Sequence, residues 1–298
     1  MKLRTVILLS ALFTTLFSFS QQEPTSTLFW NNYLHTNPAM TGAVYKHQAN
    51  VSWKDYPLVK PFASMPYEQT IFANYAAKID KINSGIGASY RYDSQGFLQM
   101  QTALLSYAYH IPIKSMFLSI GASGGIKTFN YTLPDPSDPN MVSKTWRLSP
   151  AFTTDFGIAL RHEKWNVGLS TTQWNRPVFH VKDSVGYDYR FFAHFWLFAD
   201  YRFDLGANWS LTPRAQVVMD NIDFATNIQL MAAWKQNLWF GAGAQLSGTN
   251  LYAINPMIGY DIKGKFRIGY TALIRTNKTP FTYFKTLTHE VVLGFMLK

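Results

Sequence analysis

An alternation of apolar and polar residues with a period of two runs through nearly the whole chain and limits it to β-structure. In WSLTPRAQVVMD, Trp209, Leu211, Pro213, Ala215, Val217 and Met219 share one side of an extended backbone. Ser210, Thr212, Arg214, Gln216 and Asp220 share the other, with Val218 as the exception. KFRIGYTALI sets Phe266, Ile268, Tyr270, Ala272 and Ile274 against Lys265, Arg267, Gly269 and Thr271. FATNIQLMAAW sets Phe224, Ile228, Leu230 and Trp234 against Asn227 and Gln229, and WNVGLSTT and HEVVLGFML repeat the pattern. Side chains alternate across a strand, so each segment has one greasy face and one wet face. The wet register assigns Arg214, Gln216, Asn227, Gln229, Lys265 and Arg267 to the lumen if the sheet closes on itself.

About 14 such segments follow residue 47, many of them 9–12 residues long. That is the length a tilted strand needs to cross a bilayer, whereas soluble sandwich strands average about 5–6 residues. Connections alternate between tight turns (110–115, 161–165, 234–239, 261–266) and long ones (55–67, 129–150, 173–188, 275–286). Outer-membrane barrels divide in this way into short periplasmic turns and long external loops. Composition agrees. Charged residues are 15% of the chain, against roughly 25% in soluble domains. Aromatics reach 16% and the mean hydropathy is only −0.09. A sandwich would show wide polar faces to water and need more charge. The fold expected is all-β, a transmembrane antiparallel outer-membrane β-barrel of about 14 strands, with both termini periplasmic. Aromatics near strand ends, among them Trp165, Trp209, Trp234, Trp239 and Tyr252, suit an interfacial girdle. Pro213 and Pro256 fall inside strands, where each removes a ladder donor and calls for a bulge or a strand end.

The N-terminus reads as a secretory leader. Lys2 and Arg4 precede an apolar run from Val6 to Phe19, which is too short for a membrane span, and cleavage is expected before Gln21. The division expected is therefore residues 1–20 signal peptide, 21–46 an N-terminal periplasmic or lumen-plugging segment, and 47–298 barrel. Loss of Lys2 and Arg4 takes the net charge from +10 to +8, a balance that suits anionic outer-membrane lipid or acidic partners. Nothing resembles a nucleic-acid motif.

Motifs for chemistry are sparse. GASGG (121–125) has the letters of a nucleophile elbow around Ser123, but more strand follows instead of a helix. GAGAQLSG (241–248) lies in a strand, and the seven His are scattered. Asp135, Asp138, Asp220 and Asp223 read as turn residues rather than calcium ligands. There is no Cys, hence no thiol chemistry. No enzyme, cofactor or metal is expected.

Residues 28–45, LFWNNYLHTNPAMTGAVY, do not alternate. Asn37-Pro38-Ala39 followed by Gly42 is similar to the opening of the PorP/SprF family of type IX secretion outer-membrane proteins. VSWKDYP, LLSYAYHIPIKSMFLSIGASGGI, WNVGLSTTQWNRP, LTPRAQV, NLWFGAGAQ, GYDI and HEVVLGFML then fall in the family's order over nearly the whole mature chain. The chain departs at Ser52-Trp53-Lys54, at Ala63-Ser64-Met65-Pro66 and at its FMLK end. The resemblance implies a non-enzymatic outer-membrane component of type IX secretion and gliding. It would bind or anchor secreted surface proteins, such as an adhesin through its C-terminal domain, beside periplasmic secretion and motility components. Partner contacts are expected at Asn37, Pro38 and Gly42 and at loop residues Trp146, Trp174, Pro177, Phe281 and Tyr283. The alternative is a FadL-like outer-membrane transporter of hydrophobic small molecules, which should have an apolar lumen.

Overall fold

The computed structural model describes residues 23–55, 69–95, 98–134, 143–180, 188–221, 223–276 and 287–297. Residues 1–20, expected to be a leader, lie outside them. Fourteen long antiparallel strands form a closed up-and-down barrel. In chain order they are His47–Asp55, Gln69–Ile79, Ser84–Gln95, Leu98–Ile113, Met116–Pro134, Ala151–His162, Trp165–Thr172, His194–Tyr201, Trp209–Met219, Phe224–Trp234, Leu238–Ser247, Asn250–Ile262, Phe266–Arg275 and Leu287–Leu297. Each pairs with its sequence neighbours, and the first closes on the last, from His47↔Leu297 to Asp55↔His289. Closure leaves no sheet edge, the condition for spanning lipid with strands.

The alternation read from the sequence becomes the two faces of the wall. Ile228, Leu230 and Trp234 are exposed on the outside while Asn227, Gln229 and Met231 between them are buried. Leu105, Ile120, Ile158, Ile258, Ile268 and Leu293 are likewise exposed around the circumference, as a lipid-facing surface requires.

Both strand prolines interrupt a ladder without shifting it. Pairing of Phe195–Asp200 with Arg214–Met219 stops at Arg214 and resumes in the same register at Phe203↔Leu211, which spares Pro213 a partner on that side. Pro256 sits in a similar gap, between Ile254↔Ile274 and Met257↔Thr271, and its carbonyl accepts from the Thr271 hydroxyl at 2.8 Å. The observed bulge lies elsewhere, between Gln245 and Leu246.

The aromatic girdle needs two corrections. Trp209 and Trp234 are exposed on the outside, but Trp239 is 2% exposed and points inward, its indole N–H donating to Asp261 at 3.2 Å. It fits because Gly259 and Gly269 on the next two strands have no side chain there; a Cβ on Gly259 would lie 2.0 Å from the indole. Tyr252 lines a cavity instead of the lipid face.

Candidate functional site: a filled lumen

Residues 23–43 lie against the inward faces of the wall strands, and most of them are buried there. Three 3-10 turns, Phe29–Asn31, Tyr33–His35 and Pro38–Met40, compact the segment, and its polar groups bond the inner wall in place of water.

The turn at Pro38–Met40 is the most closely fitted. Asn37 caps it, its Oδ1 accepting from the Ala39 amide at 2.9 Å, and Pro38 occupies the first position, where a missing N–H costs nothing. The Asn37 amide donates to the carbonyls of Ile158 at 3.1 Å and Leu169 at 3.2 Å, joining two wall strands. The Thr41 hydroxyl donates to the Pro38 carbonyl at 2.7 Å. Gly42 has φ +62, a left-handed conformation, and lies against the backbone of Ala77 and Gly85. The wall opposite is glycine: a Cβ on Gly121 would come within 2.5 Å of the Pro38 and Ala39 backbone.

Further into the lumen, Trp30 meets Trp239 edge-to-face at 5.2 Å, and both Arg214 and Arg267 lie over its ring, at 4.5 and 4.7 Å. Arg267 also pairs with Asp261 and donates to Asn31 Oδ1 at 2.7 Å. Leu28 joins Met231, Met257, Trp239 and Val292 in an apolar cluster. Tyr33 stacks on Phe198 at 4.3 Å and donates to Asp200 at 2.9 Å. Glu290, on the last strand, accepts from the Ser26 hydroxyl and from the Thr27 amide at 2.6 Å. The Thr27 carbonyl accepts from Asn227 and Gln229.

Glu23 is the ionic anchor. It is 5% exposed, pairs with Arg91, lies 3.5 Å from Lys127 and accepts from the Thr172 hydroxyl at 2.7 Å. Burial by itself would raise its carboxyl, but Arg91, Lys127, His194 and Thr172 outweigh burial and hold it well below the usual carboxylate range. His35 is also buried, edge-on to Phe72 at 5.2 Å. Burial, with Arg91 nearby, lowers its ring to about 3.

The end of the barrel away from the tight turns is partly closed by its own loop. Val178–His180 pairs with Asp188–Arg190, and Phe179 and Phe191 bury themselves with Phe129, Met100 and Leu148. Lys127 links this loop to the plug: its ammonium lies 4.2 Å from the centre of the Phe191 ring and donates to Gln173 at 2.9 Å, while facing Glu23. Beside the loop, a cavity of about 490 Å³ remains, floored by Glu23, Pro24 and Thr25 and walled by Lys54, Gln216, Gln245, Tyr252, Leu273 and Arg275.

The residues singled out by sequence fall in several places. Asn37 and Pro38 are buried and Gly42 likewise, all three against the chain's own wall. Arg214, Gln216, Asn227, Gln229 and Arg267 line or touch the filled lumen, whereas Lys265 is exposed in the turn after Ile262. Trp174 is 55% exposed and meets Phe156 edge-to-face, and Pro177 is buried, its carbonyl accepting from the Phe191 amide. Trp146 pairs along the backbone with Tyr131 in the short strand Ser143–Arg147. Phe281 and Tyr283 lie outside the described residues. Asp220 and Asp223 build a hairpin turn, the Asp220 carboxylate accepting from the Asp223 amide at 2.9 Å. Ser123 donates to Asp155 at 3.0 Å. Sequence reading missed Glu23, Arg91, Lys127 and Glu290. Three of them sit on the wet register of alternating strands, and charge there in so charge-poor a chain was the available signal.

The family model of the type IX secretion system membrane protein PorP/SprF matches residues 18–295. The chain belongs to the PorP/SprF family. It is therefore an outer-membrane protein and a membrane component of type IX secretion. No curated protein matches it. Among solved structures, it is similar to the toluene transporter TodX of Pseudomonas putida, with 10% identity over 88% of this chain and 92% of that one and a TM-score of 0.55. It is similar also to a FadL homologue of Pseudomonas aeruginosa (9% identity, 94% and 100% covered, TM-score 0.53). Omp33 of Acinetobacter baumannii matches at 12% identity, with 86% and 100% covered and a TM-score of 0.50. At these identities the likeness is one of fold.

Proposed function

We propose that this PorP/SprF protein is a non-enzymatic docking barrel, holding a secreted surface protein at its external loops and periplasmic secretion components at its tight-turn end. The observation that carries this reading is the filled lumen: a segment tied to the wall by side-chain bonds along its length suits a scaffold better than an open conduit. Loops 129–150, 173–188 and 275–286 are the sites proposed for a C-terminal domain of an adhesin, with Trp146, Trp174, Pro177, Phe281 and Tyr283 as contacts. Asn37, Pro38 and Gly42 would then serve partner binding indirectly, by seating the plug. Lys127 touches both Glu23 and Phe191, so a partner that displaces the 173–193 loop would loosen the plug anchor too. The test is purification of the tagged protein from native outer membrane in mild detergent. Co-purification of a secreted adhesin or of periplasmic secretion and motility proteins supports the reading, and recovery of the barrel with small hydrophobic molecules alone refutes it.

Transport of hydrophobic small molecules is the second reading, favoured by the 490 Å³ cavity and its Leu98, Val218, Leu246 and Leu273 wall. Its polar floor and inward Lys54, Gln216, Asn227 and Arg275 argue against a purely apolar ligand.

A further inference from the structure

Lysines ring the tight-turn end of the barrel. Six connections lie at that end, and every one carries a cation: Lys81, Lys114, Lys164, Arg202, Lys235, and Lys263 with Lys265. The acids there are already engaged, Asp80 with Lys78, Asp204 with Lys164 and Arg202, and Glu163 with Arg202. Lys46, Lys81, Lys114, Lys235, Lys263 and Lys265 are all exposed and form no ion pair among the described residues. At the other end the exposed charges among the described residues are mixed, Arg147, Arg176 and Arg190 standing with Asp188 and Asp223.

Backbone geometry adds a second, independent sign. Lys114, Lys235 and Lys263 have φ of 53°, 49° and 52°. Tight hairpins place glycine, asparagine or aspartate in that left-handed region because other side chains strain there. Lysine holds three of these positions in spite of the strain. The ammonium of Lys235 also lies over the ring of Trp234, at 4.6 Å, and that tryptophan is exposed on the lipid-facing side.

We propose that this lysine ring binds the phosphates of anionic phospholipid headgroups in the adjoining leaflet. A docked protein covers a sector of a rim, whereas lipid surrounds it, and the unpaired lysines stand in four of the six connections and, with Lys46, at the entry to the first strand. A basic residue beside an anionic membrane surface gains about 1 kcal/mol, about fivefold in binding, so six acting together give a strong preference. Assignment to the periplasmic leaflet rests on the tight turns facing the periplasm, as in the reading above; lipid binding itself does not. Labelling of single cysteines placed in the turns of the barrel in whole cells tests that orientation separately.

The experiment is native mass spectrometry of the purified full chain, titrated with phosphatidylglycerol or phosphatidylcholine. Wild type is expected to retain phosphatidylglycerol at least tenfold better. Replacing all six lysines with Gln should abolish the preference, and replacing all six with Arg should preserve it, heat-modifiable gel migration confirming that each barrel is folded. Equal retention of the two lipids by wild type overturns the proposal. So does an unchanged preference in the Gln variant.

Discussion

Asn37 occupies the space that a side chain on Gly157 would need: a Cβ there would lie 2.1 Å from the Asn37 Oδ1. Gly168 on the adjacent strand presents the same relation to the Asn37 Nδ2, at 2.8 Å. We predict that Gly157→Ala unseats the plug while leaving the barrel closed. Overpacking of this kind costs about 1–3 kcal/mol. Limited proteolysis should then cut within residues 23–46 at least several-fold faster, with gel migration of the folded barrel unchanged. A variant as resistant as wild type would show that the contact does not hold the plug.

Glu23 compensates two cations of the wall, Arg91 and Lys127, in a buried setting. Removing one partner of such a cluster leaves uncompensated charge and costs about 3–5 kcal/mol. Glu23→Ala should therefore release the upper plug more than Gly157→Ala does, and it should also loosen the 173–193 loop through Lys127. Hydrogen exchange of Phe179 and Phe191 amides reads the second effect; unchanged exchange there would sever the proposed link between plug and loop.

Acid should weaken seating. Released His35 titrates near its ordinary 6.5, whereas the seated ring, facing Phe72, Arg91 and Glu23, stays neutral down to about 3. As pH falls through 6.5, the released state gains a proton that the seated state refuses, so seating loses about 2 kcal/mol by pH 5. Glu23 acts in the same direction but lower: its depressed carboxyl stabilises seating above the ordinary 4.5, and this is lost as pH falls further. Proteolytic release of the plug should rise between pH 7 and 5 in wild type and rise markedly less in His35→Gln.

Deleting residues 23–46 should open the lumen. In planar bilayers wild type is expected to be nearly silent and the deletion to form stable ion-conducting pores. Equal conductance in the two proteins would mean that the loop closure around Phe179, not the plug, seals the barrel.

The wall was legible in the sequence because a lipid face and a wet lumen impose the same period of two on every strand. Pro213 and Pro256 were legible as interruptions, but not as gaps in register, since that depends on which neighbour pairs on each side. Trp239 was misread as a girdle residue: its inward turn is decided by Gly259 and Gly269, 20 and 30 positions away, which only the closed sheet brings beneath it. The plug's contents were the least legible. Glu23, His35 and Trp30 have no periodicity, and their meaning comes from wall residues such as Arg91 and Arg267 that nothing local connects to them.

Plug contacts join residues far apart in the chain. Ser26 bonds Glu290 across 264 positions, and Asn31 meets Arg267 across 236. Contacts of such separation form late. The earliest residues of the barrel domain to be made thus wait for the final strand, since no partial sheet offers them a complete seat. A seated plug is in this sense a certificate of assembly: it marks a barrel in which every strand from His47 to Leu297 has found its place.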